Sequence, residues 1–147
     1  MCCLQVDEAV HGFAVLEGDH LTYVNVYNSF LDAGKNRQWC GAHCISFRAL
    51  SRACETRRQM RRYIQAWLPP GATIQSAGED HDTVRRCIVA GFFSHVAQLQ
   101  PDTSYRTVRD GRRVVVHPSS VLFRFGQTPE WVVFHEVCTR YGVVCDT

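Results

Sequence analysis

The chain of 147 residues is 46% hydrophobic and 20% charged, a balance that places it among globular proteins and excludes disordered and fibrous classes. That length holds one domain, or a small domain with a helical attachment, and excludes two full domains. No stretch approaches the roughly 18 consecutive apolar residues that a membrane span needs.

The net charge of +2 hides an asymmetry: Ser46 to Arg113 carries twelve Arg against six acidic residues, and the remainder carries four basic against eight acidic residues. Lys35 is the only lysine. Arginine offers a planar fork that suits phosphate oxygens and base stacking. Nucleic acid is therefore one reading of the basic middle, and a solvated helix face is the plainer one. The eight cysteines do not follow a basic segment with an apolar run behind it, so the expectation is an intracellular, reduced protein. Several of them sit in helical apolar patterns, where a free thiol packs as a small hydrophobe.

In chain order, residues 1–17 have no clear period. Asp19 is the expected N-cap of a helix in which Leu21, Val24, Tyr27, Asn28 and Leu31 recur at helical spacing until Gly34. A short helical piece follows around Gln38 to Cys44. Ser46 can then cap a longer helix carrying Leu50, Ala53, Cys54, Met60, Ile64 and Trp67, which stops at Pro69-Pro70. Its Arg57, Arg58, Arg61 and Arg62 are expected largely away from that stripe. Residues 69–80, with Pro-Pro-Gly, Ser and Gly, read as a linker. Asp82 is the expected cap of an amphipathic helix whose apolar positions run from Val84 through Cys87, Ile88, Phe92 and Val96 to Leu99.

Past Pro101 the period becomes strand-like. Tyr105 to Val108, a turn at Asp110-Gly111, and Val114 to Val116 predict a hairpin. Val121 to Phe125 and Trp131 to Val137 supply further strand candidates. The fold class that follows is α+β: a helical segment, then a small, partly open antiparallel barrel.

Chemistry-bearing motifs are few. No Gly-x-x-x-x-Gly-Lys-Ser/Thr loop exists to cradle a triphosphate, which disfavours an ATPase within this chain. Asp7-Glu8-Ala9-Val10-His11 is spaced wrongly for a helicase metal-and-base motif and reads as coincidence. Cys40, His43 and Cys44 offer three ligand types where a structural zinc site needs four, so core packing is the preferred reading and no metal is expected. His117 beside Ser119 and Ser120 reads as a turn whose hydroxyls bond local backbone or a phosphate oxygen, rather than as a nucleophile and base. Tyr105, Phe123, Phe125 and Trp131 are weighed as stacking platforms for bases against a core reading, with Trp131 ranked last because it opens the most apolar strand.

Two ordered sets of residues carry a family resemblance. Gly18-Asp19-His20-Leu21-Thr22, Asn25, Tyr27-Asn28, Trp39-Cys40 and Ala53 to Met60 resemble the helical "ratchet" region of DEAH-box RNA helicases. Cys87 to Phe93, Tyr105-Arg106-Thr107, Val116 to Phe123 and Trp131 to Glu136 resemble the oligonucleotide-binding (OB) fold that follows it. The series spans about residues 17 to 139.

The resemblance implies an accessory region that packs on paired RecA-like motor domains, touches single-stranded RNA, and receives activating proteins bearing a glycine-rich patch. ATP and Mg²⁺ would be held by the motor domains and not by this chain. The expected contact residues are Arg57, Arg58, Arg61, Arg62, Tyr105, Arg106, His117, Ser119 and Ser120. The alternative is a protein-interaction module that no longer touches RNA. The implied division is a lead-in at 1–17, a ratchet segment at 18–68, a linker at 69–80, an OB region with a leading helix at 81–140, and a divergent tail at 141–147. That tail does not follow the family's strand-forming ending, so the barrel is expected to be incomplete at its C-terminus and the chain to be a fragment. A nuclear location is expected with it.

Overall fold

The computed structural model describes residues 12–138 and 143–145. The Asp7 to His11 motif lies outside them.

Among the described residues four helices lead: α1 (Asp19–Asp32), α2 (Arg37–Ala42), α3 (Phe47–Trp67) and α4 (His81–Gly91). Gly34, at φ +67°, ends α1. The Gly34 amide reaches the Leu31 carbonyl and the Lys35 amide reaches that of Phe30, both at 2.9 Å, so the last turn closes on the glycine. Asn36 and Ser46 cap α2 and α3 with side-chain oxygens that accept from Gln38 and Ala49 amides. Val26, Phe30, Cys40 and Leu50 form the buried centre of this cluster, with Phe13, Trp39 and Phe47 packed around it. Burial pushes the Cys40 thiol up. His43 lies over Trp39, ring centroids 4.3 Å apart, and Cys44 is exposed.

Two expected caps move. Gly18 precedes α1 and Asp19 is its first residue. Asp80, not Asp82, caps α4 by accepting from the Thr83 amide; Asp82 falls inside the first turn, where its carboxylate pairs with Arg85.

The second half is a six-stranded sheet, built from β1 (Val96–Leu99), β2 (Tyr105–Thr107), β3 (Arg113–Val116), β4 (Trp131–Val133), β5 (Glu136–Cys138) and β6 (Val143–Cys145). Its order is β4-β1-β2-β3-β6-β5. Only β3 and β6 run parallel. The two end strands of that order are separated in the chain by Phe134 and His135 alone, so β4 and β5 are halves of one bent segment and the sheet curls toward closure. His95 holds the bend: its Nδ1–H points at the carbonyls of Phe134 and His135, at 3.2 and 3.0 Å. The Phe134 amide returns a bond to the His95 carbonyl. Ala97, Tyr105, Val114, Leu122, Val132 and Phe134 fill the interior.

This is the expected α+β, OB-like class, with three local differences. The helix expected to run to Leu99 ends at Gly91, because Val96–Leu99 pairs with strands on both sides and buries Ala97 completely. Val121 to Phe125 is not a strand; Val121–Arg124 forms a one-turn helix, α5, whose N-cap Ser120 accepts from the Leu122 amide. Local capping by Ser120 outweighs the strand propensity of the Val-Leu-Phe run. Within the expected divergent tail, Val143–Cys145 adds β6 beside β3, on the edge expected to stay open.

Asp19 joins the two halves. Its Oδ1 accepts from the Val121 amide at 2.8 Å, across 102 positions of chain.

Candidate nucleic-acid interface

Strand register brings four outward residues into one row. Trp131 on β4 lies opposite Gln98 on β1, Gln98 opposite Arg106 on β2, and Arg106 opposite Arg113 on β3. Their neighbours Val132, Ala97, Tyr105 and Val114 face the barrel interior and are buried. The period of two along each strand therefore turns Trp131, Arg106 and Arg113 toward solvent. Trp131 is 52% exposed.

The row is partly preset. Arg113 is held by Asp102, 2.9 Å from Nη2 to Oδ2, and its Nε donates to the Ser104 hydroxyl at 3.2 Å. Arg106 Nη1 donates to the Gly111 carbonyl at 3.3 Å. Arg106 and Arg113 line a cavity of about 260 Å³ with Gln100, Asp102 and Ser104. The Ser104 hydroxyl and amide, with Arg113 behind them, hold the Asp102 carboxyl below the usual range. An aromatic face at one end and two guanidinium groups at the other is an arrangement that stacks a base and contacts phosphates.

The expected contact residues divide. Tyr105 is 2% exposed, and its hydroxyl donates to the Pro129 carbonyl at 2.8 Å. Burial raises its phenol pKa. It is a core residue, which withdraws it as a stacking platform. Ser120 is 3% exposed and is spent on capping α5, so it too leaves the contact set. Arg106 stands in the row.

His117 and Ser119 sit in the turn past the far end of β3. The Ser119 amide donates to His117 Nδ1 at 3.1 Å, and Ser119 Oγ lies 2.6 Å from the same nitrogen. That nitrogen is thus the acceptor, and the ring proton is on Nε2.

Arg57, Arg58, Arg61 and Arg62 form a separate patch on the outer half of α3. Arg58 pairs with Glu55 at 2.7 Å, and Arg57 stands 5.6 Å from the centre of the Tyr27 ring. Burial, with contact from Cys54, raises the Tyr27 phenol, and Arg57 pulls it the other way. Among the described residues no hydrogen bond or ion pair joins this patch to the barrel row. The basic middle of the sequence therefore makes two surfaces.

Read from sequence, Trp131 ranks last among the stacking candidates, and Arg113 is not among the expected contacts. The alternation of Val132 and Phe134 was the available signal: if those two point inward, Trp131 points out. Phe123 and Phe125 are exposed, but on α5 and its end rather than on a strand face. Among the described residues no three His, Cys, Asp or Glu side chains converge as a metal site, and no helix is long and apolar enough to cross a membrane.

With order β1-β2-β3-β6-β5 and a parallel β3–β6 pair, the second half is an OB fold, and the family model described as oligonucleotide/oligosaccharide-binding (OB)-fold matches residues 84–145. The chain is 42% identical over 125 residues to a probable ATP-dependent RNA helicase DHX35 of Pongo abelii, a match covering 85% of this chain and 17% of the relative. The Homo sapiens protein of the same name is 39% identical over the same shares. A pre-mRNA-splicing factor ATP-dependent RNA helicase DEAH10 of Arabidopsis thaliana is 38% identical over 139 residues, 85% of this chain and 19% of the relative. The chain belongs with the DEAH-box RNA helicases, as their C-terminal OB-fold region with helices before it. It spans under a fifth of the length of those relatives.

Proposed function

We propose that this chain is the accessory, RNA-contacting region of a DEAH-box helicase, and that the Trp131–Gln98–Arg106–Arg113 row is its contact surface on the barrel. One observation carries this reading: register alone lines up an exposed indole and two guanidinium groups across four strands of an OB fold. Phosphate contacts from arginine set the position of a strand without reading its sequence, and the indole accepts any base. Arg57, Arg58, Arg61 and Arg62, with His117 Nε2–H and Ser119, are secondary contacts. ATP and Mg²⁺ belong to RecA-like domains outside this chain, on which it docks, and the nucleus is its place of action.

Filter binding of a single-stranded RNA at rising salt tests the reading. Affinity should fall about 2.6-fold per contacted phosphate between 50 and 200 mM salt. Charge reversal at Arg61 and Arg62 should weaken it further. Salt-insensitive binding, or none, contradicts it.

A second reading, docking of a partner without RNA, has its own support. A mostly apolar cavity of about 660 Å³ lies between α1, α4 and β4, lined by Leu16, Ile88, Val96, Trp131 and Val133. Glycine-rich-patch peptides retained by the wild-type chain but not by Ile88→Asp, with no RNA bound, would favour this reading.

A further inference from the structure

β4 has a free side. The Leu99 amide donates to the Glu130 carbonyl at 2.8 Å and the Phe134 amide to the His95 carbonyl at 2.9 Å, with Val132 opposite Ala97 between them. Glu130, Val132 and Phe134 therefore turn their backbone groups toward β1, and the alternation of an antiparallel ladder turns those of Trp131 and Val133 the other way. Among the described residues no strand pairs with that side. The three residues of β4 include no charge and no proline, which are the usual guards of a sheet edge.

The cavity of about 660 Å³ lies against this edge. It touches Trp131, Val132 and Val133 alike, although Val132 points into the barrel and its two neighbours point out. A void in contact with both faces of a strand passes round its edge. Leu16, Leu21, Ile88 and Val89 give the cavity an apolar far wall. The charged groups at its rim are already paired, Glu17 with His81 at 3.8 Å and Arg85 with Asp82.

We propose that the edge of β4 takes an extended segment of a partner protein as an added strand, with apolar side chains at alternate positions set against Ile88 and Val89. The amides and carbonyls of Trp131 and Val133 match a backbone with the same spacing of donors and acceptors. An extended chain has that spacing, whereas a helix spends its backbone groups internally. The period of two then brings every second side chain to the apolar wall. RNA lacks such a row of amides and carbonyls. A second copy of this chain fits poorly, because α4 lines the far side of the cavity and the β4 of that copy has β1 behind it. The inference rests on the docking reading of this cavity and gives its occupant a conformation.

The test uses the full chain and a short fluorescent peptide that alternates Val and Thr between terminal lysines. By NMR, the Trp131 and Val133 amides should exchange with solvent faster than those of Val132 and Phe134, and should slow when peptide is added. Val133→Pro removes an edge donor and keeps the ladder to β1, a place where proline is tolerated. In peptide anisotropy it should weaken binding about tenfold, while the chain keeps a cooperative thermal melt. On the wild-type chain, methylating one alternate set of peptide amides should abolish binding and methylating the other set should spare it, a readout that does not need the proline variant to fold. Docking and strand addition fail separately: a peptide lost in Ile88→Asp, kept by Val133→Pro and indifferent to methylation is held by the walls alone, and overturns the added strand only. A wild-type chain that binds no peptide overturns the strand as well. So do edge amides already protected in the chain alone, whether by another part of it or by a second copy, and edge amides protected by single-stranded RNA but by no peptide.

Discussion

The carboxylate of Asp19, first residue of α1, accepts the amide of Val121, first residue of α5, at 2.8 Å. Asp19 is 5% exposed, and its second oxygen has no hydrogen-bond partner among the described residues. A residue that looks in sequence like the cap of its own helix instead caps another, and so locks the helical segment onto the barrel. Asp19→Ala leaves the buried Val121 amide without an acceptor, at a cost of about 1–3 kcal/mol. Asp19→Asn keeps Oδ1 and should lose less. Urea unfolding of the three proteins measures the order.

Ser120 serves the same one-turn helix from the other side, through its hydroxyl and the Leu122 amide at 3.2 Å. Ser120→Ala should cost about 1 kcal/mol, as lost N-caps do, whereas Ser119→Ala, on the exposed turn, should stay within about 0.5 kcal/mol. Thermal melts of both variants separate the structural serine from the surface one. Loss of RNA binding in Ser119→Ala alone would place that hydroxyl at a phosphate.

Tyr105 and Trp131 should behave oppositely. Tyr105→Phe removes the bond to the Pro129 carbonyl and should cost about 1 kcal/mol of stability while leaving RNA affinity unchanged. Trp131→Ala should reduce RNA affinity by about 5- to 150-fold, the range for one lost stacked base, with a modest change in melting temperature.

Stability should fall in acid through specific aspartates. The Thr83 hydroxyl and amide hold the Asp80 carboxyl down, the Ser104 hydroxyl and amide that of Asp102, and the Thr107 hydroxyl, with Arg112, that of Asp110. Each therefore takes up a proton less readily in the folded chain than in the unfolded one. Their contribution is complete above the ordinary aspartate value of about 4 and disappears as pH falls through the lower folded values. The melting temperature should be flat from pH 7 to about 5 and drop below 4. Asp110→Asn should make that drop shallower.

Much of this fold is legible in the sequence. Ser46 and Pro69-Pro70 bracket α3 because a hydroxyl cap and a missing amide act locally. Gly111, at φ +67°, marks the β2–β3 turn for the same kind of reason. β1 was not legible: Val96 to Leu99 continues a helical period, and only pairing with β2 and β4, far along the chain, makes it a strand. The contact row was half legible. Arg106 was found by its motif, but the inward turn of Tyr105 and the outward turn of Trp131 depend on which face of the sheet closes over the core. Local sequence does not carry that choice.

The most direct measurement is the salt dependence of single-stranded RNA affinity for the wild-type chain beside Arg106→Glu. If the barrel row holds the strand, the variant binds more weakly and the slope of log affinity against log salt shrinks by about 0.7, one phosphate contact. Equal slopes and equal affinities would mean that RNA, if it binds at all, binds elsewhere.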